Sequence, residues 1–236
     1  MARPPIPYSQ IRNTLQTGDV VTFQGKSALD YMIQLETHTP YNHVGMIIRL
    51  GTNLYFWDAP GGGKQFPDPY TNNQPHAGTR VAPLDDLLGS YMQNEVAMYV
   101  RQVQPALGTE QLAALSAFIS VANGIPFPGD HIKLPLEFGL GVGLAASYAM
   151  GRKFGLTHAG HYFCAHLIAD TYMHMGLLPI APLPANGYAP SDFDAATLPL
   201  IGHTLTDVVQ VTWDKGADSI ASSAGNSSAA SARTVS

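Results

Sequence analysis

Apolar and polar positions along the chain fall into two periods, and the boundaries between them divide it into short strands and helical stripes. Residues 20–23 are a β-branched and aromatic run that follows the turn Thr17-Gly18-Asp19. Residues 43–50 and 53–58 are two further strand-like runs separated only by Gly51-Thr52, the mark of a hairpin with a loop of the Gly-X kind. Residues 95–103 and 208–213 give two more strands. Helical spacing places Ala28, Tyr31, Met32 and Leu35 on one face of a helix capped by Ser27. A short helix is predicted over 83–91, and an Ala- and Leu-rich one over 108–121, with Thr109 as cap and Asn123-Gly124 as stop. The last helix starts at Cys164, carries Leu167, Ile168, Tyr172 and Met175 on one stripe, and ends at Gly176, with Pro179 beyond. The pattern predicts an α+β fold.

The remaining segments lack either period. Residues 59–78 are a Gly- and Pro-rich loop expected to stand out from the domain. Residues 138–151 carry no charge and are too few for a bilayer-crossing helix, which needs about 20 residues. They read as an apolar insertion within about 134–156, and as a candidate contact with a membrane surface or another protein. Residues 216–236, rich in Ser and Ala, are expected to be a disordered tail. With 1–14 as an N-terminal extension, 15–215 is left as one domain, a division that suits 236 residues.

Charge narrows the function. Lys and Arg number 12 against 17 Asp and Glu, for a net charge of −5, and no basic run is present, so nucleic acid is excluded as a partner. One cysteine makes no internal disulfide. No apolar stretch near Met1 has the length of a secretory signal, so the default expectation is a cytoplasmic address.

That one cysteine directs the chemistry. In a helix's first turn, free amides and the positive end of the helix dipole favour the thiolate, the nucleophilic form of sulfur. The bland alternative is a buried apolar thiol. A nucleophile needs a base, and the base needs a third group to fix its tautomer. His166 lies two residues on, a rotation of about 200° that turns it away, and His174 lies near the far end of the helix. His43 opens a strand, with Gly45 beside it as expected open space for a substrate. If Gly51-Thr52 is a two-residue loop, Leu50 faces Asn53 and Gly45 faces Asp58, which puts Asp58 on the face of His43 and diagonal to it. A three-residue loop would turn Asp58 to the other face and leave it a solvated strand end.

On these residues the chain resembles the circularly permuted NlpC-type members of the papain-like cysteine peptidases, especially the YiiX/YebB-like branch. The resemblance is carried by Leu15-Gln16-Thr17-Gly18-Asp19-Val20-Val21-Thr22-Phe23, by Asn42-His43-Val44-Gly45, by Tyr55-Phe56-Trp57-Asp58 and by Tyr162-Phe163-Cys164-Ala165-His166. Histidine strand first and cysteine helix last is the permuted order, and the likeness covers most of 15–178. It implies a permuted papain-like fold, an antiparallel sheet or partial barrel packed against the cysteine helix, with Cys164 as nucleophile, His43 as base and Asp58 as the orienting group. The chain departs from the branch at Asp58, commonly Glu there, at Ala165, where a small polar residue is frequent, and at the apolar insertion.

Other chemistries are weaker. His158, His161, Cys164 and His166 are spaced closely enough to suggest zinc, but no second ligand pair accompanies them, so neither a metal nor a cofactor is expected. Pro60-Gly61-Gly62-Gly63-Lys64-Gln65 lacks the spacing and the Ser or Thr of a phosphate loop. Three functions follow: a thiol hydrolase (peptidase or amidase), a thiol acyltransferase or lipid hydrolase, or a non-catalytic module that keeps the fold. The expected partner is a peptide, amide or lipid-like acyl substrate.

Overall fold

The computed structural model describes residues 4–25, 40–62, 64–92, 95–127, 161–194 and 198–214. The expected helix at 27–35, the apolar insertion, His158 and the Ser/Ala-rich tail lie outside them.

Among the described residues the strands are β1 (Ile6–Pro7), β2 (Val20–Gly25), β3 (His43–Leu50), β4 (Asn53–Asp58), β5 (Arg80–Pro83), β6 (Glu95–Arg101), β7 (Val103–Gln104), β8 (Thr204–Leu205) and β9 (Val209–Thr212). The helices are α1 (Tyr8–Ile11), α2 (Leu84–Tyr91), α3 (Thr109–Ala122) and α4 (Cys164–His174). Seven strands form one sheet in the order β1-β9-β6-β2-β3-β4-β5, while β7 and β8 pair separately. Every pair in the large sheet is antiparallel except β1 with β9. The fold is mixed α+β with a mostly antiparallel sheet.

The sheet is covered on both faces, which is why β3 reads as an almost unbroken apolar run. One face carries Val44, Met46, Ile48 and Trp57 against Leu115, Phe118 and Ile119 of α3 and Leu167, Ile168 and Tyr172 of α4. The other carries Phe23, Ile47 and Phe56 against Tyr8 and Ile11 of α1 and Leu84, Leu87 and Leu88 of α2. The N-terminal segment is part of this second layer: Ile6 pairs with Val211, and Tyr8 is fully buried.

Two local expectations change, and one strand is new. Helix α3 is capped by Gly108 rather than Thr109; the Gly108 amide donates to the Gln111 side chain, Oε1, at 2.6 Å, so the third helical residue reaches back to satisfy it. The 59–78 loop does not stand clear of the domain. Phe66 and Asp68 are buried, and Asp68 accepts from the amides of Tyr70 and Val81, from His76 Nε2 and from Asn123 Nδ2, tying the loop to β5 and to the end of α3. The strand that closes the sheet, β5, follows this loop and had no sequence assignment.

Candidate functional site

Cys164 is the first residue of α4, with the extended Phe163 as its cap residue. The stripe predicted for this helix is buried: Leu167, Ile168 and Tyr172 are fully covered and Met175 nearly so. Two buried hydrogen bonds fix the helix's register against the sheet. Trp57 Nε1 donates to Thr171 Oγ1 at 3.0 Å, and the Tyr172 hydroxyl donates to the Gly18 carbonyl at 2.6 Å. Ala165 has no exposed surface, so the departure from a small polar residue there matches a position with no room in water.

His43 and Asp58 meet through the hairpin. Leu50 pairs with Asn53 and Met46 with Trp57, so the loop is the two residues Gly51-Thr52. Gly51 takes a φ of 62°, a left-handed turn conformation that glycine adopts without strain. Continuing the register one step brings Asp58 opposite Gly45 and diagonal to His43. His43 Nε2 donates to Asp58 Oδ2 at 3.1 Å. Cys164 is the other side chain whose proximity raises the imidazole, and with Nε2 engaged by Asp58 the ring nitrogen left free of the carboxylate is Nδ1.

His43 shares the sheet face of Ile47 and Phe56, whereas α4 packs on the opposite face. Imidazole and sulfur meet nonetheless because each opens its element: His43 begins β3 and Cys164 begins α4. The expected open space at Gly45 is not there. A Cβ at that position would lie 2.1 Å from the Phe56 ring, so the glycine makes room for Phe56, whose ring centroid is 6.3 Å from that of His43. Packing claims the face that alternation along the strand had left vacant for a substrate.

Asp58 is fully buried and three side chains converge on it. Besides His43, Arg80 Nε donates to Oδ1 at 3.0 Å and the Tyr91 hydroxyl donates to Oδ2 at 2.9 Å. Arg80 stands directly across from Asp58 in the β4–β5 ladder. It also donates through Nη1 to the Lys64 carbonyl at 2.7 Å and through Nη2 to the Tyr91 hydroxyl at 3.0 Å, and it lies over the Phe66 ring. Arg80 and Tyr91 had no place in the sequence reading. The available signal was one arginine in the short run Thr79-Arg80-Val81-Ala82, since a buried guanidinium demands a carboxylate.

Burial alone would raise the Asp58 carboxyl, but the charge of Arg80 and the hydrogen bond from His43 outweigh it and hold the group below its ordinary value. For His43, burial pulls the imidazole down, and the hydrogen bonds to Asp58 and Cys164, with their charges, raise it to about 10. His43 is therefore an imidazolium at neutral pH.

The competing histidines go elsewhere. The His166 ring lies 4.6 Å from that of Tyr162, His174 stacks on Phe118 at 4.3 Å, and His76 is held by Asp68. Among the described residues no group of three or more His, Cys, Asp or Glu is gathered to hold a metal, and no helix is long and apolar enough to cross a membrane.

Fold and site define a mixed α+β domain in which an imidazole at a strand start is hydrogen-bonded to a buried carboxylate, with a thiol at a helix start as the other side chain that raises the imidazole. No family model and no curated protein matches the chain. Among solved structures it is similar to the one described as the crystal structure of metalloprotein yiiX from Escherichia coli O157:H7, DUF1105, which carries the name of the branch that the sequence motifs resemble. The two are 16% identical, with a TM-score of 0.47 over 85% of this chain and 99% of that one.

Proposed function

We propose that the chain is a thiol hydrolase, a cysteine peptidase or amidase of permuted papain-like arrangement, in which Cys164 attacks, His43 moves the proton and Asp58 orients His43. The observation that carries this reading is the imidazole hydrogen-bonded to a buried carboxylate, with the chain's one sulfur as the other side chain that raises it.

In the proposed cycle the sulfur proton rests on His43 Nδ1, giving a thiolate beside an imidazolium. The thiolate attacks the amide carbon, and the carbonyl π electrons move onto oxygen. The Cys164 backbone N–H, first in its helix and so without an intrahelical partner, is positioned to donate to that oxyanion. As the tetrahedral intermediate collapses the C–N bond breaks, and Nδ1 passes its proton to the departing amine, leaving a thioester on Cys164. Neutral Nδ1 then takes a proton from water as the oxygen attacks the thioester. Loss of the thiolate releases the acid and restores the pair. Asp58, kept ionised by Arg80, holds Nε2–H throughout and so keeps Nδ1 the working nitrogen.

The test is to profile the purified full chain against peptide, small-amide and lipid-ester libraries, with products read by mass spectrometry. Amide cleavage by the wild type, none by Cys164→Ser, and a thioester adduct on Cys164 after acid quench are the expected results. Turnover that survives in Cys164→Ser would sink the proposal. Acyl transfer from lipid esters without amide cleavage would replace it with a transferase.

A further inference from the structure

Tyr91 is the one member of the cluster whose place the proposed cycle leaves unexplained. Arg80 Nη2 can only donate, so at 3.0 Å the Tyr91 oxygen must accept from it, and the hydroxyl proton turns to Asp58. It lands on Oδ2, at 2.9 Å, the same oxygen that accepts from His43 Nε2 at 3.1 Å. Oδ1 is meanwhile taken by Arg80 Nε. Two donors therefore divide one carboxylate oxygen, and the guanidinium on the other oxygen holds the carboxylate so that it cannot turn to relieve the competition. We propose that Tyr91 is a positioning residue of this site, sharing Asp58 Oδ2 with His43 and so limiting how tightly the imidazole is held.

The inference rests on the thiol hydrolase reading for its consequence, because a proton must leave His43 during each cycle and an imidazole held too tightly gives it up slowly. Among the described residues, the charged and titratable groups facing His43 are Asp58 on β4, Arg80 on β5 behind it, Tyr91 at the end of α2 and Cys164 on α4. Of these, Tyr91 is neutral. Burial and the charge of Asp58 keep its phenol protonated well above the ordinary value, so it remains a donor over the whole range in which His43 titrates.

Tyr91→Phe removes the hydroxyl and keeps the ring, whose centroid lies 5.5 Å from that of Phe23 and 5.8 Å from that of His43. The test is a histidine-ring nitrogen NMR titration of the full chain, with His43 assigned by the signal lost in His43→Gln. In Tyr91→Phe the His43 midpoint is expected to move up by about 0.5–1 pH unit, the scale of the net worth of one ordinary hydrogen bond. Tyr91→Met, which removes the hydroxyl by another route, is expected to move it the same way. A midpoint that stays in place or falls in the folded variants would overturn the inference, since a merely structural tyrosine would change the melting temperature and not the titration. The hydrolase reading fails separately: a wild-type Cys164 that reacts no faster than free cysteine would sink that reading and leave the midpoint comparison intact.

Discussion

Replacing Asp58 with alanine is expected to cost about 3–5 kcal/mol of folding stability, the penalty for removing one partner of a buried ion pair. Asp58 has no exposed surface and Arg80 has 3%. Without the carboxylate the guanidinium keeps the Lys64 carbonyl and the Tyr91 hydroxyl, both neutral, and its charge has no counterpart. Urea denaturation at pH 7 measures the loss, and a difference under about 1 kcal/mol would mean that the pair is far more hydrated than its burial implies. Asp58→Asn separates stability from chemistry. Its carbonyl must face Arg80 Nε, which turns its amide group toward His43. The imidazole then accepts at Nε2 and carries its proton at Nδ1, where it can no longer take the sulfur proton. The tautomer is visible by ring-nitrogen NMR.

The second large effect is a charge preference at the sulfur. Below its pKa His43 is positive, and that pKa is raised from 6.5 to about 10. Cys164 is therefore expected to favour iodoacetate over uncharged iodoacetamide, relative to the same ratio for free cysteine, by on the order of tenfold, or ~1.4 kcal/mol. The sign follows from the direction of the shift. The preference is full at pH 7, falls to about half near pH 10 as the imidazole loses its proton, and vanishes above. A histidine with an ordinary pKa would lose it between about pH 6 and 8. Because the chain has one cysteine, the modified site is unambiguous.

What the sequence made legible was what local pattern controls. Gly51-Thr52 set the loop length, loop length set the register, and register put Asp58 beside His43. The start of α4 was readable because the buried stripe from Leu167 to Met175 has helical spacing and Gly176, with a φ of 72°, ends it. Arg80 and Tyr91 were not legible because their role depends on a strand pairing across the 59–78 loop, where no periodicity links the two sides. Gly45 was misread for the opposite reason. Alternation along β3 assigns its face correctly, but only the neighbouring strand shows that the Phe56 ring occupies that face.

The central claim, that His43 activates Cys164, is tested most directly by one rate constant: alkylation of Cys164 by iodoacetamide at pH 7 in the wild type and in His43→Gln. Free cysteine is only about 3% thiolate at that pH, and a paired sulfur gains in thiolate fraction more than it loses in nucleophilicity. The wild type is expected to react on the order of tenfold faster than free cysteine, and His43→Gln to fall back to the free rate or below it. Equal rates in the two proteins, both at the level of free cysteine, would contradict the account.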